Sequence, residues 1–320
     1  MSEHQTMLPN LSRRSVLGSL GVSALLAGVP QAAFAKTPLQ APTFPGLTKI
    51  MNDYVAEKKV AGMLAAIGFG QSDPQFISAG AQKIGGDTPM GENTLFRMYS
   101  QTKPVCGMAA MMLVEDGLIS LDQPLSEIFP EFTNMQVLVD PEGAVDKTVP
   151  AKNPITIRQL QTHTAGLGYT IVSKGPIQKA YLAAGLTPGR VSRMPIPGVD
   201  AGSPTPDLMT FVKRLADMPL VYQPGTRWSY SLSHDVLSAV IEKVSGKPLD
   251  QFLQERMFGP LGMKDTFYHV PADRAADLAD NYAPFGGSLI PIDPGATSIY
   301  LDKPAFAFGS TGLVGTAGDY

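Results

Sequence analysis

Residues 96–117, FRMYSQTKPVCGMAAMMLVEDG, constrain the fold more than any other segment of the chain. Pro104 fits only the first turn of a helix, because it lacks an N–H group and clashes with a preceding turn. The apolar residues after it have the spacing of one helix face: Val105, Met108, Ala109, Met112 and Leu113. Gly117 is a natural stop. The segment therefore predicts a helix that begins beside Ser100 and Lys103 and ends at Gly117.

The order of the remaining patterns predicts the fold class. Two strand-like segments, residues 62–70 and 75–85, flank the turn-rich sequence QSDP and predict a hairpin. Helical patterns fill the middle of the chain, and strand-like sequence returns near residues 306–316. This order predicts an α+β fold, because strands and helices do not alternate regularly.

Two local predictions concern the loop-rich middle of the chain. Residues 170–206 contain many glycines and prolines and predict a loop-rich segment. The helical pattern that follows predicts Thr205 as its N-cap, with Pro206 at the first helical position.

The pair Ser100 and Lys103 suggests nucleophilic catalysis. Residues three apart lie on the same helix face, so the amine of Lys103 can stand beside the hydroxyl of Ser100. The positive end of a helix disfavours an ammonium ion, which leaves the amine free to accept the serine proton. Backbone N–H groups there can hold an oxyanion. The S-x-x-K pattern is weak alone, and a surface serine and lysine at an ordinary helix start remain the alternative.

A second candidate residue lies in residues 221–235, VYQPGTRWSYSLSHD. Tyr230 stands between a Pro-Gly turn and a helical pattern that begins at residue 233. A phenol near a lysine can shuttle protons in acyl transfer. The alternative is a half-buried tyrosine whose hydroxyl has an ordinary hydrogen-bond partner.

Five blocks occur in an order that resembles the serine β-lactamase-like superfamily: FRMYSQTKP, LVEDGLISLDQPLSEIFPEF, ITIRQLQTHTAGL, the long stretch that begins QPGTRWSYSLSHD, and GSTGLVGTAGDY. The resemblance covers residues 45–320 and is closest to family VIII carboxylesterases. It implies an antiparallel sheet flanked by helices, with a mainly helical lobe. It also implies that Ser100 is the acylated serine, Lys103 the lysine of S-x-x-K, and Tyr230 the tyrosine of the second motif.

The chain departs from the lactamase pattern in that second motif. The lactamase motif is Y-x-N, and Leu232 stands here at the asparagine position. Leucine cannot bind a substrate amide, which favours the cleavage of short-chain carboxylic esters. The alternatives are β-lactamase or D-alanyl-D-alanine carboxypeptidase and D-aminopeptidase activity, or a non-catalytic cell-envelope binding protein of the same fold. We expect further strands, the third motif and the second oxyanion-hole amide beyond Tyr320.

The first 35 residues resemble a twin-arginine export signal. Arg13 and Arg14 precede an apolar stretch that is too short to span a bilayer, and Ala33 and Ala35 form a small-residue cleavage pattern. We therefore expect a serine hydrolase domain over residues 36–320, located in the periplasm or secreted, without stable membrane insertion.

Composition excludes several partners. The net charge is −3 without a basic block, which argues against nucleic acid. One cysteine and four scattered histidines predict no metal, and the chemistry needs no cofactor. The expected partner is a small-molecule ester. The chain contains no G-x-S-x-G motif whose serine could act with His163 in a Ser–His pair, so we expect His163 to pack a loop. We expect His234 to lie at an exposed helix start.

Overall fold

A computed structural model describes residues 43–70, 72–187, 189, 191–194 and 205–320. The predicted export signal, residues 1–35, lies outside the described residues and stays a prediction. Among the described residues, the structure contains no helix with both the length and the hydropathy needed to cross a bilayer. Residues 44–320 form one unit, and it carries the candidate site.

The fold combines eight helices and nine short strands within the described residues. The helices are α1 (Pro45–Ala56), α2 (Thr102–Glu115), α3 (Ile157–Gln161), α4 (Gly175–Ala183), α5 (Leu208–Ala216), α6 (Ser233–Ser245), α7 (Leu249–Leu253) and α8 (Gly259–Leu261). A π-helical segment, Gln254–Phe258, joins α7 to α8. The strands are β1 (Gly62–Ile67), β2 (Gln75–Gly80), β3 (Phe96–Arg97), β4 (Gln136–Leu138), β5 (Thr148–Pro150), β6 (Thr266–Phe267), β7 (Asn281–Phe285), β8 (Ser288–Asp293) and β9 (Val314–Gly315).

All strand pairs within these sheets are antiparallel. The predicted hairpin is confirmed: β1 pairs with β2, with Gly62 opposite Gly80. A three-stranded sheet has the order β3-β9-β6, so the strand near the C-terminus lies between two earlier ones. Because β3 ends three residues before Ser100, its pairing with β9 fixes the backbone that leads into the candidate nucleophile.

The predicted helix after Ser100 is confirmed as α2, and Gly117 follows it with φ of +73°. Val105, Ala109 and Leu113 are buried against α6 and the rest of the main core. The placement of Met108 on the same face is wrong, since 51% of this residue is exposed. Cys106, which lies beside the stripe, is buried and contacts α6, since its Sγ lies 3.5 Å from the carbonyl oxygen of His234.

One local prediction in the middle of the chain is wrong. The helix α5 is capped by Asp207, whose carboxylate accepts a hydrogen bond from the backbone N–H of Thr210 at 2.7 Å, so Thr205 is not the N-cap. The loop-rich segment of residues 170–206 also contains one helix, α4, which the sequence patterns did not single out. Its buried residues Ile177 and Tyr181 lie one turn apart, a stripe too short to stand out among the glycines and prolines.

A buried ion pair to β8 holds β3 in addition to its pairing with β9. The guanidinium of Arg97 lies 2.6 Å from the carboxylate of Asp293, and both side chains are almost wholly buried. Asp293 ends β8 and also accepts a hydrogen bond from the hydroxyl of Ser298. A buried pair of this kind is costly to break, because it leaves one charge uncompensated. The segment before Ser100 is therefore held by strand pairing and by this ion pair.

Candidate active site

The three residues singled out in the sequence meet at the start of α2. Ser100 lies in a 3-10 turn, Tyr99–Gln101, that leads directly into the helix. The amine of Lys103 lies 3.2 Å from the Oγ of Ser100. The hydroxyl of Tyr230, 130 residues later in the chain, donates a hydrogen bond to the same Oγ at 2.6 Å. One exposed serine oxygen thus contacts two groups that can carry a proton.

The backbone immediately before Ser100 has an unusual conformation. Tyr99 has φ of +45°, in the left-handed region that bulky residues rarely adopt. Such a residue costs roughly 1–3 kcal/mol and persists only where its surroundings hold it. The side-chain amide of Asn281 donates to the hydroxyl of Tyr99 at 2.6 Å, which links the turn to β7. Strain of this kind is concentrated at functional sites.

Lys103 is positioned by a backbone carbonyl and an aromatic ring. Only 6% of the residue is exposed, and its amine donates to the carbonyl of Ser310 at 2.8 Å. The same nitrogen lies 4.7 Å from the centre of the Tyr230 ring. No ion pair joins Lys103 to a carboxylate in the part of the chain that the structure describes. The amine is therefore aimed at Ser100 without a competing acidic partner.

The carbonyl that binds Lys103 belongs to a segment held by a buried acid. Asp235, in the first turn of α6, is fully buried, and its Oδ1 accepts a hydrogen bond from the backbone N–H of Ser310 at 3.0 Å. Burial raises the pKa of Asp235 to about 6, while hydrogen bonding to Ser310 and the charge of Lys103 oppose that rise. Asp235 therefore fixes the position of the carbonyl to which Lys103 donates.

His163 holds the segment around Tyr230. Its carbonyl accepts a hydrogen bond from the backbone N–H of Ser229 at 2.9 Å, and its Nδ1 accepts one from the backbone N–H of Ser231 at 3.2 Å. Its ring centre lies 4.9 Å from that of Tyr230. Burial, with a smaller effect of Lys103, lowers the pKa of His163 to about 4, so the ring is neutral near pH 7. A neutral ring lets Nδ1 act as an acceptor.

The structure shows where His234 and Leu232, two residues near Tyr230 in the sequence, lie. His234 does not lie at an exposed helix start: it is 5% exposed, and its ring centre is 4.8 Å from that of His163. Burial, followed by the charges of His163 and Lys103, lowers its pKa to about 3. Leu232 is fully buried in the main core. The position of the lactamase asparagine therefore carries an apolar side chain turned into the core.

Sequence reasoning missed Asp235 and Ser310, and it expected His163 to pack a loop without linking it to Tyr230. A signal for Asp235 was present, because it lies three residues after Leu232 and one before Val236, on the apolar side of a helix. A carboxyl group there needs a buried partner. No local pattern marks Ser310, whose contact with Lys103 joins residues 207 positions apart.

The described residues form a pocket beside Tyr230 and no cluster of metal ligands. A pocket of about 320 Å³ opens beside Tyr230 and is lined in part by Trp228. A larger cavity, about 880 Å³, lies between α5, α7 and residues 303–307 and is not lined by any of the three central residues. Within the described residues, no group of three or more His, Cys, Asp or Glu is placed to hold a metal ion.

Known proteins are similar to this chain in sequence. Protein Rv1367c of Mycobacterium tuberculosis is 36% identical over 77% of this chain and 57% of its own length. Esterase EstB of Burkholderia gladioli is 32% identical over 72% of this chain and 56% of its own length. This chain therefore spans just over half the length of these curated relatives.

A solved structure gives the same result at the level of the fold. EstCE1, described as a hydrolase with promiscuous acyltransferase activity, matches with a TM-score of 0.66 and 26% identity, over 86% of this chain and 70% of its own. The resemblance inferred from the ordered motifs and the predicted α+β architecture are thus confirmed. The profile of the Beta-lactamase family matches residues 47–320, and the protein belongs to that family.

Proposed function

We propose that the protein hydrolyses short-chain carboxylic esters through an acyl-enzyme formed on Ser100. The observation that carries the proposal is that Ser100 Oγ contacts both the Lys103 amine, at 3.2 Å, and the Tyr230 hydroxyl, at 2.6 Å. The esterase and hydrolase relatives support it. In this proposal Ser100 is the nucleophile, and Lys103 and Tyr230 are its catalytic partners.

In the first half of the reaction, Ser100 attacks the ester carbonyl. The bond between Oγ and the carbonyl carbon forms while the serine proton passes to the Lys103 and Tyr230 pair. The tetrahedral intermediate then collapses, the bond to the alcohol oxygen breaks, and Tyr230 delivers a proton to the departing alcohol. Backbone N–H groups at the start of α2 lie beside Ser100 and would stabilise the oxyanion.

In the second half, water attacks the acyl-enzyme. The same two groups take one proton from the water, the bond to Oγ breaks, and the serine regains its proton as the acid leaves. Lys103 and Tyr230 both contact Ser100 Oγ, so either group is placed to carry this proton.

Leu232 favours esters over β-lactams and peptides. A buried apolar side chain offers nothing to the amide group of those substrates, whereas an ester of a simple acid needs no such contact. Hydrolysis of nitrocefin or a D-alanyl-D-alanine peptide faster than p-nitrophenyl butyrate would favour the rival activities.

The experiment measures hydrolysis of p-nitrophenyl acetate, butyrate and octanoate. We expect the wild type to cleave the shorter esters and the Ser100→Ala variant to lose this activity. A fluorophosphonate probe should add the mass of one probe group to the wild type and none to the Ser100→Ala variant. The control is Ser72→Ala, since Ser72 lies in an exposed turn between β1 and β2. A Ser100→Ala variant with wild-type rates would refute the proposal. Absence of labelling and of hydrolysis would instead favour a non-catalytic binding protein.

Acyl transfer to an alcohol is a second candidate function. The description of EstCE1 as a hydrolase with promiscuous acyltransferase activity favours it. The chemistry is the same until deacylation, when an alcohol rather than water attacks the acyl-enzyme. Formation of butyl butyrate from vinyl butyrate and butanol in buffer, measured against release of butyrate, separates the two.

A further inference from the structure

The pocket beside Tyr230 is large enough to hold a small organic group. We call it the Trp228 pocket; its volume is about 320 Å³, and Val172, Lys174, Tyr222, Arg227, Trp228 and Tyr230 lie in its wall. Small-molecule sites begin at roughly this size. Ser100 is not part of the wall; Tyr230 is the residue that links the pocket to the reacting atoms, because it lines the pocket and its hydroxyl contacts Ser100 Oγ.

This position assigns the pocket to one side of the substrate. The group that protonates a departing alcohol must lie within hydrogen-bond distance of the alcohol oxygen. Under the proposed function, Tyr230 is that group. Under the same proposal the alcohol portion of the ester lies beside Tyr230, which is also a residue of the wall of the Trp228 pocket.

The wall of the pocket offers a flat aromatic surface. The Trp228 ring stacks on that of Tyr230, with centres 6.4 Å apart and planes inclined by 24°. An edge contact with His163, at 6.2 Å, supports the indole from another direction. Even so, 63% of Trp228 is exposed. A planar ring placed against the indole would bury apolar surface that the protein itself leaves in water.

The charged residues of the pocket favour an anion. The guanidinium of Arg227 lies 4.6 Å from the centre of the Tyr222 ring, which holds it at the pocket wall. Arg227 and Lys174 form no ion pair within the described part of the chain, and Glu142 is the only acid in the wall. The wall therefore has a net positive charge. A guanidinium presents paired N–H donors that match a carboxylate.

We propose that the Trp228 pocket binds the alcohol portion of the ester, and that the preferred alcohol is a ring compound bearing a carboxylate. The inference rests on the proposed function for its orientation and on the pocket's own residues for its ligand class. Arg227 is the main determinant of the preference for an anion, and Lys174 is a second cation. Trp228 provides the surface on which the ring packs.

The kinetic test compares two esters of similar size and shape, the anionic 4-carboxyphenyl butyrate and the neutral 4-carbamoylphenyl butyrate. We expect the wild type to prefer the anionic ester in kcat/KM, mainly through a lower KM, and Arg227→Gln to reduce that ratio about tenfold. The control is Arg256→Gln, because Arg256 pairs with Asp116, just beyond the opposite end of α2 from Ser100. An equal ratio in the wild type and Arg227→Gln would overturn the inference.

A binding test does not depend on catalysis. Trp228 is the only tryptophan of the chain, so tryptophan fluorescence, excited at a wavelength that the tyrosines do not absorb, reports on this pocket. In the Ser100→Ala variant, 4-hydroxybenzoate should give a saturable fluorescence change that 4-hydroxybenzamide and the additional change Arg227→Gln both weaken. No saturable change, or equal binding of the amide, would refute the pocket assignment even where esters are cleaved. Binding without ester hydrolysis in the wild type would refute the proposed function and keep the pocket.

Discussion

Asp235 is completely buried, and its carboxylate accepts hydrogen bonds from the segment of Gly309 and Ser310, so an amide of the same shape can separate the effect of its charge from that of its size. Its Oδ1 accepts from the backbone N–H of Ser310, and burial raises its pKa from 3.8 to about 6. An asparagine in place of the acid would keep the size of the side chain and an acceptor oxygen. The substitution Asp235→Asn therefore removes the charge while it preserves the contact that positions Ser310.

The sign and the size of the effect follow from the pKa. A raised pKa means that the folded state binds the proton more tightly than the unfolded state does. The favourable contribution of Asp235 is therefore complete below its unfolded pKa of 3.8 and is lost as the pH rises through about 6. A rise of this size corresponds to about 3 kcal/mol. Asparagine lacks this dependence, so the variant gains stability relative to the wild type as the pH rises.

The measurement is the free energy of unfolding in urea, followed by far-UV circular dichroism at about pH 4 and about pH 7.5. We expect the difference between Asp235→Asn and wild type to shift by about 2–3 kcal/mol in favour of the variant between these values. The histidines that titrate in this range are common to both proteins. The control is Asp146→Asn, which removes an exposed carboxyl and should shift far less. A difference that does not change with pH would refute the reasoning.

Three further predictions concern the site and the loop beneath it. Tyr230→Phe removes the hydroxyl that contacts Ser100, so kcat for p-nitrophenyl butyrate should fall by about 10²–10⁴ with an unchanged circular dichroism spectrum; a loss under twofold would contradict the proposed relay. His163→Ala frees the segment that holds Tyr230, and kcat should fall about tenfold or more, whereas an unchanged kcat would show that the segment holds itself. Gly166 has φ of +82°, and a Cβ there would lie 2.0 Å from the carbonyl oxygen of Tyr222, so Gly166→Ala should cost about 2 kcal/mol or more in thermal unfolding; equal melting temperatures would contradict this geometry.

Local sequence patterns were enough to predict the elements whose contacts are local. The hairpin of β1 and β2 follows from two strand patterns and one turn, and α2 follows from Pro104, its apolar stripe and Gly117. The approach of Lys103 to Ser100 is also local, because a helix brings residues three apart onto one face. The wrong N-cap at Thr205 also has a local cause, because Asp207, two residues later, is an equally suitable N-cap residue and caps α5 instead.

Contacts between distant segments could not be predicted from residue patterns. The strands β3, β6 and β9 are two residues long, which is too short for a period of two to appear. The hydrogen bond from Tyr230 to Ser100 spans 130 positions, and only the order of the motifs pointed to Tyr230. The acid at residue 235 was visible on an apolar face, but its partner at Ser310 depends on how the chain returns to α2.

The structure explains why many buried polar groups surround the side chains of Ser100, Lys103 and Tyr230. Each of the three is set by a different segment: β3 and the turn at Tyr99 place Ser100, the carbonyl of Ser310 places Lys103, and the loop at His163 places Tyr230. A packed apolar core fixes volume well, but it does not direct a proton-carrying group to within hydrogen-bond distance of one oxygen. Hydrogen bonds and ion pairs do, because they are directional and costly to leave unmade. The chain accordingly retains a raised pKa at Asp235 and a left-handed tyrosine beside Ser100, two local costs that keep the three groups in place.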